Sequence, residues 1–176
     1  KPTKTKPSLL TFNEVTTLFH EFGHALHGML AQGNYESLTG TSVYWDFVEL
    51  PSQIFENWSY EKECLDLFAK HYETGETIPS ELIQKIKNAA NFQQGYQTVR
   101  QISFGLLDMA YHGTDPSLIS DIFAFEKEIL KPTSLLPEVE GTLMSTSFSH
   151  IFQGGYAAGY YSYKWAEVLD ADAFEI

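Results

Sequence analysis

The sequence has little cysteine, little basic charge and no long apolar run. With Cys64 alone no internal disulfide can form, which fits a reducing compartment. Eleven basic residues against 23 acidic ones give a net charge of −12, and such a charge repels nucleic acid and anionic membranes. No apolar stretch approaches the roughly 20 residues of a membrane span, and no hydrophobic signal segment follows the Lys-rich start. We therefore expect a soluble, cytoplasmic protein that binds neither nucleic acid nor membrane.

The sequence is well supplied with residues that can form a core. Of its 176 residues 43% are hydrophobic and 15% are aromatic, which is enough for one folded unit. It contains no internal repeat, low-complexity tract or composition shift that would mark a linker. We treat residues 1–176 as one domain.

Apolar residues recur at helical spacing along most of the chain and predict a mainly α fold. Thr11 and Glu14 form a capping box, so a first helix should begin near residue 12 and end near Gly33, with a broad apolar stripe buried in the core. Further helices are expected over residues 51–75, from 80 onward, from 92 to 113, over 115–132 and over 156–169. Residues 35–47 should form a loop or a short strand pair, and residues 133–149 an irregular connection.

A metal-binding pattern lies within the first predicted helix. His20 and His24 are four residues apart, so both imidazoles project from one helical face and can share one ion. Imidazole suits zinc, and Glu21 is placed to act as general base on zinc-bound water. Chance predicts only about 0.02 such patterns in a chain of this composition. We therefore interpret the motif as a site for one Zn²⁺ per chain.

A catalytic zinc needs a third protein ligand. The metzincin pattern is not met, because this chain has His27 and Leu30 where that pattern requires Gly and His. Glu49, just before a predicted helix start, is the preferred candidate, and His27 is a weaker competitor. Gln53 and Glu56 share a helical face with Glu49, and either could accept a proton from a ligand imidazole.

The second unusual feature is a concentration of tyrosines near the C-terminal end. Tyr156, Tyr160 and Tyr163 would align on one face of a helix that follows Gly154 and Gly155. Fixed phenol donors can stabilise the negative charge that develops on a carbonyl oxygen during amide hydrolysis. Ordinary aromatic packing is the alternative interpretation.

Together these features resemble the thimet oligopeptidase family of zinc metallopeptidases, and its bacterial oligopeptidase A branch in particular. The resemblance covers the run from Leu9 to His27, residues 46–53, residues 71–75 and residues 147–165. It implies that His20, His24 and Glu49 bind zinc and that Glu21 activates the water. The other implied residues contact the peptide: His150 and Tyr163 as catalytic groups, and Tyr156, Tyr160, Gly40 and Thr41 in substrate binding.

The resemblance also implies a zincin-like helical catalytic domain that is truncated at both ends. Enzymes of this family are several times longer, and the missing N-terminal part would form the opposite wall of a channel that admits only short peptides. The resemblance then implies a zinc metalloendopeptidase whose isolated fragment can be inactive on its own. Two other hypotheses remain: a non-haem iron oxygenase that uses two histidines and one carboxylate, and a fragment that only binds metal or peptide.

Overall fold

The computed structural model describes residues 2–137 and 139–175, and it is predominantly helical. The α-helices are α1 (Phe12–Leu30), α2 (Trp45–Val48), α3 (Leu50–Asn57), α4 (Lys62–Phe68), α5 (Ser80–Ala90), α6 (Gln94–Gly113), α7 (Ile122–Leu130) and α8 (Ser162–Phe174). The β pairing found within the described residues is one isolated bridge between Lys70 and Thr77. The mainly α prediction is confirmed.

The chain divides into two compact units. The first contains residues 1–92 and 166–176, and the second contains residues 93–165. The prediction of one catalytic domain over residues 1–176 stays a prediction. Among the described residues, no helix combines the length and the apolar character needed to cross a membrane.

In the first unit α1 packs against α3. The predicted capping box is present: Thr11 accepts the Glu14 N–H, and the Glu14 carboxylate accepts the Thr11 N–H. Phe19 stacks on Phe55 with ring centroids 5.2 Å apart, and Phe22 lies 6.0 Å from the same ring. These aromatic contacts align the two helices along the length of the metal-binding pattern.

The expectation that α1 is a buried helix is wrong. Leu18, Phe22 and Met29 are 56%, 48% and 65% exposed, and Gly23 is the one fully buried residue of the helix. The apolar stripe is wider than the surface that α3, Tyr60 and Phe68 cover, so its flanks stay open. The helix also ends at Leu30, before Gly33, because Ala31 takes an extended conformation.

The prediction of one long helix over residues 51–75 is also wrong, because the α-helical conformation is interrupted after α3 and ends with α4. After α3 a 3-10 turn covers Trp58–Tyr60, and Glu61 is extended before α4 begins. The Glu61 carboxylate pairs with Lys87 of α5 at 2.9 Å, a tertiary contact that helical periodicity does not report. Residues 35–47 form a loop with a short 3-10 turn and the start of α2, and the strand-pair alternative is wrong.

The second unit is built on α6. Leu107, Phe148 and Ile151 form its buried core, with partly buried neighbours including Phe104 and Tyr160. The single helix expected over 115–132 is instead a 3-10 turn at Pro116–Leu118 followed by α7, because Asp121 caps a new helix by accepting the Ala124 N–H. The irregular connection expected over residues 133–149 is confirmed for the part of it that the structure describes.

The last helix begins later than the sequence predicts. Residues 156–161 are turns, and α8 starts at Ser162. Gly154 and Gly155 have φ of 74° and 81°, and Ala158 has φ of 55°, a left-handed conformation that no right-handed helix can contain. The prediction that Tyr156, Tyr160 and Tyr163 align on one face of a helix is therefore wrong.

Candidate functional site

Two imidazoles from α1 and one carboxylate from the α2–α3 junction meet in the first unit. Glu49 Oε2 lies 3.3 Å from His20 Nε2 and 3.2 Å from His24 Nε2. The candidate ligand atoms of the three residues all lie within 4.8 Å of one another. Glu49 is 1% exposed, whereas both histidines are partly exposed. This donor set, two imidazole nitrogens and one carboxylate oxygen around an accessible point, fits a divalent metal ion.

Gly23 allows the two helices to approach closely enough for this arrangement. A Cβ atom at Gly23 would lie 2.5 Å from Ser52 Cα and 2.6 Å from the Pro51 carbonyl oxygen. Any side chain at this position would push α3 away from α1, and Glu49 stands directly before α3. The glycine between the two histidines therefore sets the distance between the imidazole pair and the carboxylate.

Ser52 orients the Glu49 side chain. Its hydroxyl lies 2.8 Å from the Glu49 carbonyl oxygen and 3.1 Å from Glu49 Oε2, and Ser52 is fully buried. The hydroxyl donates to the same carboxylate oxygen that faces the two imidazoles, so it restricts the rotamer of Glu49.

Glu56 contacts the far side of the His20 ring. His20 Nδ1 lies 2.6 Å from Glu56 Oε1, so the ring is held between two carboxylates. The hydrogen bond with Glu49, then that with Glu56, raises the pKa of His20 to about 10 against the opposing effect of burial. A site that favours positive charge this strongly is suited to a cation.

The structure places the remaining residues of this motif as follows. Glu21 is exposed on α1, where solvent and ligands can reach it. His27 does not belong to the three-residue group, and its ring centroid lies 6.3 Å from that of Phe47. Gln53 is half-buried on α3.

In the second unit the tyrosines gather around His150. The His150 ring centroid lies 5.1 Å from that of Tyr156, 5.8 Å from that of Tyr160 and 6.1 Å from that of Tyr163. Tyr156 and Tyr163 stack at 5.4 Å. We call His150, Tyr156, Tyr160 and Tyr163 the tyrosine cluster. Turns bring these residues together, whereas the sequence analysis predicts that one helix does so.

The hydroxyls of the cluster differ in their surroundings. The Tyr160 hydroxyl donates to Gln101 Oε1 at 2.9 Å, and burial raises the pKa of this phenol although Gln101 and Arg100 oppose the change. Tyr160 thus carries its proton at neutral pH and directs it toward Gln101. His150 is exposed, and the other two tyrosines are half-buried.

The family of the chain follows from comparison with known proteins. The model of Peptidase family M3 matches residues 1–176, the entire chain. The chain belongs to peptidase family M3. The resemblance stated from the sequence motifs is therefore confirmed.

Several curated members of the M3 family are similar to this chain. Oligopeptidase A of Haemophilus influenzae is 48% identical over 175 residues, which cover 98% of this chain and 26% of the relative. The organellar oligopeptidase A of Arabidopsis thaliana is also 48% identical, with 98% and 22% covered. Dipeptidyl carboxypeptidase of Escherichia coli is 42% identical, with 99% and 26% covered. The chain spans about a quarter of the length of these relatives.

Gly40 and Thr41 lie in a tight turn of this M3 chain, closed by a hydrogen bond from the Ser42 N–H to the Thr39 carbonyl. Gly40 has φ of 60°, and a Cβ there would lie 3.5 Å from the Cα of Gly28. The turn therefore runs close beside α1. The predicted role of Gly40 and Thr41 in substrate binding stays a prediction.

Four residues that contact these groups or their main chain are missing from the sequence interpretation: Gly23, Ser52, Gln101, and Asp108, whose carboxylate accepts the Tyr160 N–H. Only Asp108 leaves a usable signal, because it is a carboxylate on the apolar face that carries Phe104, Leu107 and Tyr111. The others lie at positions where helical spacing predicts nothing special.

Proposed function

We propose that the protein hydrolyses peptide bonds in short oligopeptides and uses one zinc ion held by His20, His24 and Glu49. The observation that supports this most directly is the buried Glu49 carboxylate, whose Oε2 faces both Nε2 atoms at 3.2–3.3 Å. Relatives that are 42–48% identical to this chain are named oligopeptidase A and dipeptidyl carboxypeptidase, which is consistent with a peptide substrate.

The donor set agrees with zinc and also with non-haem iron. Glu21 favours zinc, because an exposed carboxylate one residue after the first histidine is what hydrolysis requires and oxygenation does not. Metal analysis of protein purified without added metal separates the two: zinc in one equivalent supports the proposal, and iron opposes it.

When bound, zinc supplies a Lewis acid that polarises the scissile carbonyl and acidifies water. Glu21 then acts as general base, taking the proton of the attacking water and passing it to the leaving amine. Glu56 keeps the His20 Nδ1 proton in place, so that Nε2 carries the lone pair that a metal ligand needs.

We further propose that the tyrosine cluster binds the peptide and stabilises the oxyanion. Tyr163 is the favoured donor, together with His150, because the family resemblance implies these roles at the matching positions; the Tyr160 hydroxyl donates to Gln101. Tyr156 and Tyr160 then serve in substrate binding, and Gly40 and Thr41 offer backbone groups to an extended peptide.

The range of substrates depends on regions beyond this chain. We propose that the missing N-terminal part of the enzyme forms the opposite wall of a channel and limits substrates to short peptides. The cytoplasmic location, and the expectation that neither nucleic acid nor membrane is a partner, remain proposals from composition.

The deciding experiment is Glu21→Gln. We expect turnover of a quenched peptide of about ten residues to fall by at least 10³-fold while the zinc content stays at one per chain. Glu63 is an exposed glutamate on α4, so Glu63→Gln is the matched control. It should leave both the peptide turnover and the zinc content unchanged.

The assay is run on this chain and on the full-length protein that carries it. Loss of zinc from Glu21→Gln would contradict the general-base role, since the metal would then depend on Glu21 itself. Peptide binding without turnover in the full-length protein would favour the binding-only hypothesis.

A further inference from the structure

A buried carboxylate of the second unit holds the main chain of the tyrosine cluster. Asp108 lies on α6 and is 0% exposed. Its Oδ1 accepts the Ala158 N–H at 2.9 Å, and its Oδ2 accepts the Tyr160 N–H at 3.0 Å. Both donors belong to the turn that precedes α8, fifty residues away in the sequence. The carboxylate therefore connects α6 to this turn through the backbone alone.

A histidine one helical turn further along completes the surroundings of Asp108. His112 Nδ1 lies 3.0 Å from Asp108 Oδ1 and is 2.8 Å from the Asp108 carbonyl oxygen. A buried carboxylate is costly unless donors satisfy it, and hydrogen bonds to a charged acceptor are about twice as strong as neutral ones. Two N–H groups and one imidazole give Asp108 such donors.

The turn needs an anchor of this kind. Gly154, Gly155 and Ala158 all have positive φ, and the left-handed conformation costs a non-glycine residue about 1 kcal/mol. Glycines without a regular hydrogen-bond ladder leave the segment free to rearrange. The bonds to Asp108 fix it at Ala158 and Tyr160, on both sides of Gly159.

Fixing this turn also fixes the rings. The Tyr160 ring packs against Phe104 at 5.5 Å and against Phe148 at 4.7 Å, and it lies 5.2 Å from Tyr163. The Tyr160 backbone is thus tied to α6 through Asp108 while its hydroxyl is tied to α6 through Gln101.

We propose that Asp108, supported by His112, is a positioning residue that holds the tyrosine cluster in the geometry required for peptide binding. The proposal rests on the proposed function of the cluster. Asp108 contacts neither peptide nor metal and acts only through the Ala158–Tyr160 main chain.

The test is Asp108→Asn in the full-length protein, with hydrogen exchange and peptide kinetics as readouts. The substitution turns one acceptor into a donor that faces a backbone N–H. We expect the Ala158 and Tyr160 amides to exchange at least tenfold faster. We also expect KM for the quenched peptide to rise by a factor about ten times larger than the factor by which kcat falls. Zinc affinity, which reports on the first unit, should stay at the parental value.

Glu126→Gln is the matched control. Glu126 is an equally buried carboxylate of the same unit, 2% exposed, and it accepts the Met144 and Ser145 N–H groups and the Tyr111 hydroxyl. This variant should speed exchange at Met144 and Ser145 and leave the Ala158 and Tyr160 amides at the parental rate. Equal exchange at Ala158 and Tyr160 in both variants would overturn the proposal.

A milder pair of variants covers the case in which Asp108→Asn does not fold. The His112 side chain is 25% exposed. His112→Ala should therefore fold and give a smaller acceleration of exchange at the Ala158 and Tyr160 amides, and His112→Asn should restore the parental rate. Unchanged exchange in His112→Ala would oppose the role given to His112.

Tyr163→Phe separates this proposal from the function on which it rests. If Tyr163→Phe lowers kcat and Asp108→Asn leaves both kcat and KM at the parental values, the positioning role is wrong. If Tyr163→Phe leaves the kinetics unchanged, the proposed function of the cluster is wrong, and the exchange rates alone decide whether Asp108 is the anchor of the turn.

Discussion

Glu49 and Asp108 are both buried carboxylates, but their surroundings differ in kind. The Asp108 oxygens accept two backbone N–H groups, which are fixed donors. Glu49 Oε2 faces two imidazole Nε2 atoms, and each of these carries a lone pair in the neutral tautomer whose proton is on Nδ1. The hydrogen-bonding capacity of the Asp108 carboxylate is satisfied by these donors, whereas the arrangement around Glu49 is one that a bound cation would satisfy.

Glu56 should affect metal affinity without being a ligand. Its carboxylate holds His20 Nδ1 at 2.6 Å, and loss of such a partner typically weakens metal binding about 10–100-fold. We therefore expect Glu56→Gln to raise the zinc Kd by roughly tenfold, measured by competition with a chelator.

Glu61→Gln is the control for this variant, because the Glu61 carboxylate pairs with Lys87 of α5. A parental zinc Kd in Glu56→Gln would show that the His20 ring is oriented by other contacts.

Asp170 should make stability depend on pH. Burial, then the nearby Glu167 and Glu56, raise the pKa of Asp170 to about 6 from its ordinary value of 3.8, although the Asn57 amide opposes this. The contribution of the protonated form is complete below pH 3.8 and is lost as the pH rises through about 6. Asp170→Asn should therefore be more stable than the parent above pH 7 by roughly 1–3 kcal/mol.

Urea unfolding at pH 4 and pH 8 measures this difference. The variant keeps an oxygen acceptor for Asn57, so the gain should vanish at pH 4. Asp172→Asn, an exposed aspartate on the same helix, should show no gain at either pH. An equal gain in the free energy of unfolding at pH 4 and pH 8 would show that the effect of Asp170→Asn comes from packing and not from ionisation.

At the scale of elements, local signals in the sequence predict some helix starts, whereas contacts with distant residues decide others. The capping box of α1 and the start of α5 after Pro79 follow from side chains next to each other in the chain. The break at Glu61 and the late start of α8 follow from partners 26 and about 50 residues away, Lys87 and Asp108. Periodicity carries no information about such distant partners.

The crossing of α1 and α3 should tolerate no side chain at Gly23. Gly23→Ala places a methyl group 2.5 Å from Ser52 Cα, so the helices must separate. We expect a loss of about 2–4 kcal/mol in the free energy of unfolding and weaker zinc binding, because Glu49 moves with α3.

Gly28→Ala on the same helix is the matched control. A Cβ at Gly28 meets nothing within 4 Å, so this variant should gain up to about 1 kcal/mol from helix propensity. Similar effects of the two variants in denaturant titrations would contradict the close approach at Gly23.

At the scale of the whole molecule, the ligand set draws on both sides of a single helix crossing in the first unit. Zinc should therefore stabilise the folded chain. At 1,000 times Kd the ion contributes about 4 kcal/mol, which corresponds to a rise in Tm on the order of 10 °C for a chain of this size.

Differential scanning calorimetry with zinc and with a chelator measures that rise, and His24→Ala should abolish it. A Tm that is equal under both conditions in the parent would show that the three side chains do not bind the ion in solution.

The candidate metal centre is open to prediction from sequence because two proposed ligands and the proposed base share about one helical turn, and Glu49 lies just before the helix start at Pro51. The tyrosine cluster was predicted for a partly wrong reason. Its residues do meet, but through turns anchored by Asp108 and not through helical alignment. Residue identity therefore predicted the members of both groups, and only tertiary contacts explain their geometry.

The close approach at Gly23 has a consequence for engineering. Main-chain atoms of one helix rest against the main chain of the other, so the spacing between the imidazole pair and Glu49 is fixed by the thickness of two polypeptide backbones. No exchange of neighbouring side chains can bring the two helices closer at this crossing. Attempts to retune the centre for a smaller or larger ion must therefore change the ligands or the side chains that set their rotamers, such as Ser52 and Glu56.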